Sequence, residues 1–185
     1  MSHPSLGLGA TALTAICVGI ATITDLRSRR IPNLLTFPAI AAGLGLWAAL
    51  LGWKGLALSA GGMLAAPLLL VLLHLGRGPG MGDIKLAAAV GALLGVRLAP
   101  VAMLLAAVAG GLLALCWQIR TGGPVASTVS AFLVGIPGFE RRAEAHAAPG
   151  EPGALPAVPY AVGIALGSLL AVTVYWLTGN EGWLL

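Results

Sequence analysis

Along the chain, apolar side chains gather into runs near 20 residues long, parted by short polar or glycine-rich breaks. A helix rising about 1.5 Å per residue needs about 20 such residues to cross about 30 Å of hydrocarbon. Six membrane segments are predicted on that basis: 6–24, 34–51, 56–75, 84–96, 98–119 and 157–177. The runs do not alternate at period two, which sets aside the strands of a β-barrel. The expected fold is all-α: a polytopic integral membrane protein of about six transmembrane helices, forming one domain over 1–185.

The fourth segment is short. It covers only about 20 Å, less than the hydrocarbon core. If its far end reaches the opposite interface, Asp83 lies about 10 Å below the near surface, and the non-helical stretch 78–82 must be covered by protein or line a wet cavity. A fourth helix that tilts, or that starts before Asp83, would remove this recess. Two small-xxx-small patterns, Gly91 with Gly95 and Gly163 with Gly167, let helix backbones approach closely and predict contact between the fourth and sixth segments.

Between 120 and 156 lies one long polar connection. In it Val125, Val129, Phe132, Leu133 and Ile136 follow helical spacing, which suits an amphipathic helix at the interface or one packed on the bundle. The stretch 138–156, rich in Ala, Pro, Gly and charge, reads as flexible linker.

Composition agrees with the pattern. With 58% hydrophobic and 9% charged residues and a mean hydropathy of +0.97, the chain falls outside the soluble globular range. Its net charge of +4 does not imply nucleic acid, because the basic residues concentrate in loops. Arg27, Arg29, Arg30, Arg77, Lys85, Arg120, Arg141 and Arg142 fall on one side; only Lys54 and Arg97 fall on the other. By the positive-inside rule the odd-numbered loops are cytoplasmic and both termini face outward. The first run lacks a basic n-region and a small-x-small cleavage site, so it is expected to stay as a transmembrane helix.

Little of the usual site chemistry is present. Cys17 and Cys116 stand far apart in apolar runs and are expected to act as small hydrophobes; without a CxxC pair, no cysteine zinc site is expected. His3, His74 and His146 are scattered, with no HExxH helix. No metal or cofactor is expected.

Against that background two carboxylates stand out. Asp25 and Asp83 are the only aspartates, and each lies at the edge of an apolar run. A charged side chain at the centre of a membrane helix costs about 2.5–3.5 kcal/mol, so such residues are rare and usually functional. Asp25 is followed by Arg27, Arg29 and Arg30, which can snorkel to the interface, and by Ile31, Pro32 and Asn33, which end the excursion and start the next helix. Asp83 closes Gly80-Met81-Gly82-Asp83, whose glycines leave the backbone free for positive φ or close approach. There it starts a helix, whose N-terminal amides favour its anion. Lys85 stands about 200° round that helix from Asp83 and is not expected to pair with it.

Each aspartate taken alone could be a helix boundary or cap. Taken together, both belong to cytoplasmic ends. Two carboxylates a few ångströms apart do not both ionise easily, so one keeps a proton and the pair titrates as a unit. The charged partner can then take a proton from water while the neutral one polarises a peptide carbonyl. Intramembrane carboxylates also serve as relays, so a proton- or ion-coupled transporter is the alternative. Transporters, however, place such groups near the midplane between repeated halves, and no repeat is seen here. A structural subunit without catalysis is a third possibility.

The segments around Asp25 (DLRSRRIPN), around Asp83 (GMGDIKL) and at 158–167 (VPYAVGIALG) resemble, in this order, the type IV prepilin peptidases, intramembrane aspartic proteases of the GxGD kind. The resemblance implies that Asp25 and Asp83 are the catalytic dyad. It makes Gly80, Gly82, Lys85, Pro159 and Tyr160 the residues expected to shape the site, Pro159-Tyr160 matching the family's Pro-aromatic motif. It also implies cleavage of a basic leader from prepilin or pseudopilin substrate helices, at the cytoplasmic face of a prokaryotic inner membrane. Larger members carry an N-terminal segment with cysteine pairs and methylate the new N-terminus. The sequence given has no such segment, and the short, peptidase-only form associated with tight-adherence pili is expected. Glu140, Glu144 and Glu151 in the long loop are candidates for holding the basic leader.

Overall fold

A computed structural model of the chain describes residues 4–28, 30–73, 80–121 and 160–178. Four helices account for nearly all of them: α1 (Pro4–Ser28), α2 (Asn33–Leu73), α3 (Met81–Thr121) and α4 (Tyr160–Leu177). All four are long and apolar enough to cross a membrane. The all-α membrane class therefore holds, but the count of six does not.

The difference comes from two glycines. α2 and α3 each run for 41 residues, and each contains one residue off helical geometry, Gly52 (φ 60°, ψ −140°) and Gly95 (φ 74°, ψ 172°). Positive φ is open to glycine at no steric cost, so one residue does what a loop was expected to do. The chain reverses at both. Gly55 lies against the backbone of Trp47 and the side chain of Leu51, a contact that a straight helix, rising about 12 Å between 47 and 55, could not make. The reversal at Gly95 is read from α4. Tyr160 packs on Gly110 while its hydroxyl lies within the electrostatic reach of Asp83, so Asp83 and Gly110, on opposite sides of the break, share one level. The short fourth helix is thus the first arm of α3, residues 81–94.

That arm is the centre of the bundle. Leu86, Ala87, Ala89, Val90, Ala92, Leu93 and Leu94 are all buried, as expected of a helix covered on every side. Its closest neighbour is α2: Gly62 meets Gly91 backbone to backbone, Gly43 lies against Ala92, and the Trp47 ring occupies the space beside Gly95. Carbonyls in the last turn before a break need other donors. Two side chains of α2 provide them. Trp47 Nε1–H donates to Leu93 O at 3.0 Å, and Ser59 Oγ–H donates to Ala92 O at 2.7 Å, both buried.

α4 lies antiparallel on the second arm of α3. Gly163 faces Ala106 and Gly110, and Gly167 sits directly on Ala102 and Ala106. Each small-residue pattern therefore meets a different partner. Gly91 and Gly95 pack on α2, and Gly163 and Gly167 on residues 102–110. On the same second arm Leu104, Val108 and Leu112 are exposed, the one-sided apolar stripe a lipid-facing helix presents. In α1 the hydroxyls of Thr14, Thr22, Thr24 and Ser28 donate to carbonyls four residues back, so these four hydrogens need no partner from the hydrocarbon side. Cys17 is buried, as an apolar thiol should be, whereas Cys116 is exposed.

Candidate active site

The reversals at Gly52 and Gly95 bring six helix ends to the same end of the bundle. α1 arrives there at Ser28, α2 leaves from Asn33 and returns to Leu73, α3 leaves from Met81 and returns, and α4 leaves from Tyr160. Asp25 lies in the last turn of α1 rather than in the following loop, because the helix runs on to Ser28. A carboxylate in a C-terminal turn opposes the helix dipole, so helix stabilisation does not account for it.

Asp83 is placed by a different device. α3 begins at Met81, before Asp83, and Gly82 is already helical; the expected non-helical recess at 81–82 is absent, and positive φ is found at Gly52 and Gly95 instead. The Gly80 carbonyl accepts from the N–H groups of Asp83 (2.9 Å) and Ile84 (3.1 Å), while the Asp83 carboxylate turns back to the Gly80 backbone N–H. This reciprocal cap fixes the carboxylate from both sides. Its Oδ2 lies 3.0 Å from where a Gly80 Cβ would be, so glycine is the residue that leaves the carboxylate its place.

The two carboxylates lie within electrostatic reach of each other. Both are half-buried, and the charge of Asp25 acts on the Asp83 carboxyl group. Asp83 in turn acts on the half-buried Tyr160, whose ring rests on Gly110, 3.6 Å from the Cβ position there. Asp25, Asp83 and Tyr160, from three helices, thus form one group. No cluster of three or more metal-ligating side chains exists among the described residues.

Lys85, two residues beyond Asp83, makes a contact that sequence reasoning missed. Its Nζ donates to Asn33 Oδ1 at 2.9 Å, and it lies 6.0 Å from the centroid of the Phe37 ring. One turn earlier on α3, Ile31 packs at ordinary van der Waals distance on the Gly82 face. The only sequence signal was a lysine beside a motif aspartate in a chain with few charges. Pro159, the long loop with its amphipathic pattern at 125–136, its linker at 138–156 and Glu140, Glu144 and Glu151 lie outside the described residues.

A family model for type IV leader peptidases matches residues 12–115, a stretch that holds both aspartates, Asn33 and Lys85. This chain belongs to the type IV leader peptidase family. No curated protein and no solved structure matches it. As a leader peptidase it is a membrane hydrolase of peptide bonds, and the proton- or ion-coupled transporter finds no support. The match ends before α4, so Tyr160 joins the group through the fold alone.

Proposed function

We propose that this leader peptidase is an intramembrane aspartic endopeptidase, with Asp25 and Asp83 as its acid–base pair, that removes the basic leader of type IV prepilin-like substrates at the cytoplasmic membrane face. The observation that carries the proposal is the meeting of the only two aspartates, from α1 and α3, within electrostatic reach of each other at one end of the bundle.

The chemistry follows from the pair. One carboxylate, ionised, takes a proton from water as the water oxygen attacks the scissile carbonyl carbon. The other, protonated, donates to the carbonyl oxygen. The tetrahedral centre then collapses: the second carboxylate takes a hydroxyl proton back as the C=O re-forms, the C–N bond breaks, and the leaving amine takes the proton that the first carboxylate removed from water. A prepilin offers a short basic leader followed by an apolar helix, so its scissile bond sits at the interface where this end of the bundle is expected. The charge bias of the loops supports the cytoplasmic side.

The test is cleavage of a candidate prepilin by membranes carrying wild type, Asp25→Asn or Asp83→Asn. Wild type cleaves, and each variant loses cleavage while inserting to the same level. Retained cleavage by either variant would sink the proposal.

A further inference from the structure

The Lys85–Asn33 contact stands where helix stability would not put a cation. Lys85 is in the second turn of α3 and its Nζ reaches the first turn of α2, so the ammonium lies near the positive ends of two helix dipoles. Among the described residues it is held there by the Asn33 amide oxygen at 2.9 Å and by the face of Phe37 at 6.0 Å. An ammonium only donates, so the amide must turn its oxygen to it, leaving the Asn33 NH₂ facing away.

The contact ties the start of α3, which carries Asp83, to the start of α2, which follows closely on the Asp25-bearing end of α1. Asn33 follows Asp25 by one short link, through Ile31 and Pro32, and the Pro32 carbonyl anchors the start of α2 by accepting from Leu35 (3.0 Å) and Thr36 (3.4 Å). Lys85 follows Asp83 by half a turn. Ile31 sits against Gly82 beside the same contact. α1 also packs on α3 directly, and the link with its fastening adds a second tie between α3 and the end of α1 that carries Asp25.

We infer that Asn33 and Lys85 are positioning residues: their hydrogen bond fastens the 30–33 segment to the first turns of α3 and so sets the relation of the Asp25 carboxylate to that of Asp83. The inference rests on the proposed role of the two aspartates, but the fastening itself can be tested without catalysis. A built Gly82 Cβ lies 3.4 Å from Ile31 Cβ, near the about 3.8 Å typical of a disulfide.

The experiment is oxidative cross-linking of Ile31→Cys with Gly82→Cys in a Cys17→Ala, Cys116→Ala background, read by mass spectrometry of the joined peptides. It is paired with prepilin cleavage kinetics of the same position-33 and position-85 variants without the added cysteines. With Asn33 and Lys85 intact the cross-link forms fast. Lys85→Met or Asn33→Ala slows it about tenfold or more, and lowers kcat about 10–100-fold with KM unchanged, the size of effect a misplacement near 1 Å has on an oriented reaction. The two losses do not add in the double variant. Lys85→Arg and Asn33→Asp, which keep a cation facing an oxygen, restore both readouts. An unchanged cross-linking rate in both single variants overturns the inference. So does slowed cross-linking with unchanged kcat, and so does a rise in KM alone, which would make Lys85 a leader contact. A wild type that cleaves no prepilin defeats the proposed function instead, and the cross-linking rates are unaffected by that failure.

Discussion

The Trp47 indole N–H donates to the Leu93 carbonyl at 3.0 Å, and the ring edge beside that bond fills the place where a Gly95 side chain would stand. One residue thus caps the helix end created by the break and forbids any larger residue at it. Trp47→Phe keeps most of the ring and strips the donor, leaving a buried carbonyl short of a partner. The expected loss is about 1–3 kcal/mol. Ser59→Ala, which frees the neighbouring Ala92 carbonyl, is expected to cost a similar amount. Both are read from unfolding midpoints in detergent. Two variants as stable as wild type would mean the reversal at Gly95 does not depend on these donors.

Seating of α4 depends on an absent side chain. A Cβ on Gly167 would run into the backbone of Ala102 and Ala106. Gly167→Ala therefore pushes α4 off the second arm of α3 and is expected to cost about 1–3 kcal/mol, the range for overpacking. Cleavage should fall as well, because α4 carries Tyr160 to the aspartates. Gly19→Ala and Gly45→Ala meet nothing within 4 Å and serve as controls, expected within about 0.5 kcal/mol of wild type.

The contrast between Gly167 and Gly19 also marks how far the sequence could be read. Run length announced membrane helices, since only a helix satisfies its own backbone in hydrocarbon. It could not count them. The charges at Lys54 and Arg97 look like loop residues, yet Gly52 and Gly95 turn the chain within continuous helices. Nor did polarity mark the packing faces: Ala102, Ala106 and Gly110 pack inward while Leu104, Val108 and Leu112 face out, and all six are small or apolar. In lipid, size replaces polarity as the signal, and a glycine pattern says that something approaches without saying what. At the site, the scarcity of charge made Asp25 and Asp83 legible. The Lys85–Asn33 bond joins residues 52 positions apart, and no local pattern encodes it.

Tyr160 divides into a ring and a hydroxyl with separable tasks. The ring packs on Gly110, and the hydroxyl end lies in the field of Asp83. Tyr160→Phe keeps the packing, so the unfolding midpoint should stay near that of wild type. Cleavage should drop about 10–100-fold, which corresponds to about 1.4–2.7 kcal/mol of lost transition-state stabilisation. Tyr160→Ala is expected to lose stability as well as rate. Equal cleavage by Tyr160→Phe and wild type would confine the residue to packing.

The last prediction concerns whether the two carboxylates act as one unit. A group supplying acid–base catalysis alone contributes about 10²–10⁴-fold, and each of Asp25→Asn and Asp83→Asn is expected to lose at least that much. If they worked independently, the double variant would lose the product of the two. For a pair that shares one proton, removing either partner destroys the whole device, so Asp25→Asn combined with Asp83→Asn should cleave no more slowly than the worse single variant. Asp83→Glu adds a further check. It keeps the charge, but its longer side chain cannot hold the tight return to the Gly80 N–H, so the carboxylate shifts relative to Asp25. Its expected kcat lies between wild type and Asp83→Asn, with KM unchanged, since the leader's own contacts are untouched. Losses that multiply in the double variant would show two separate roles and refute a shared proton.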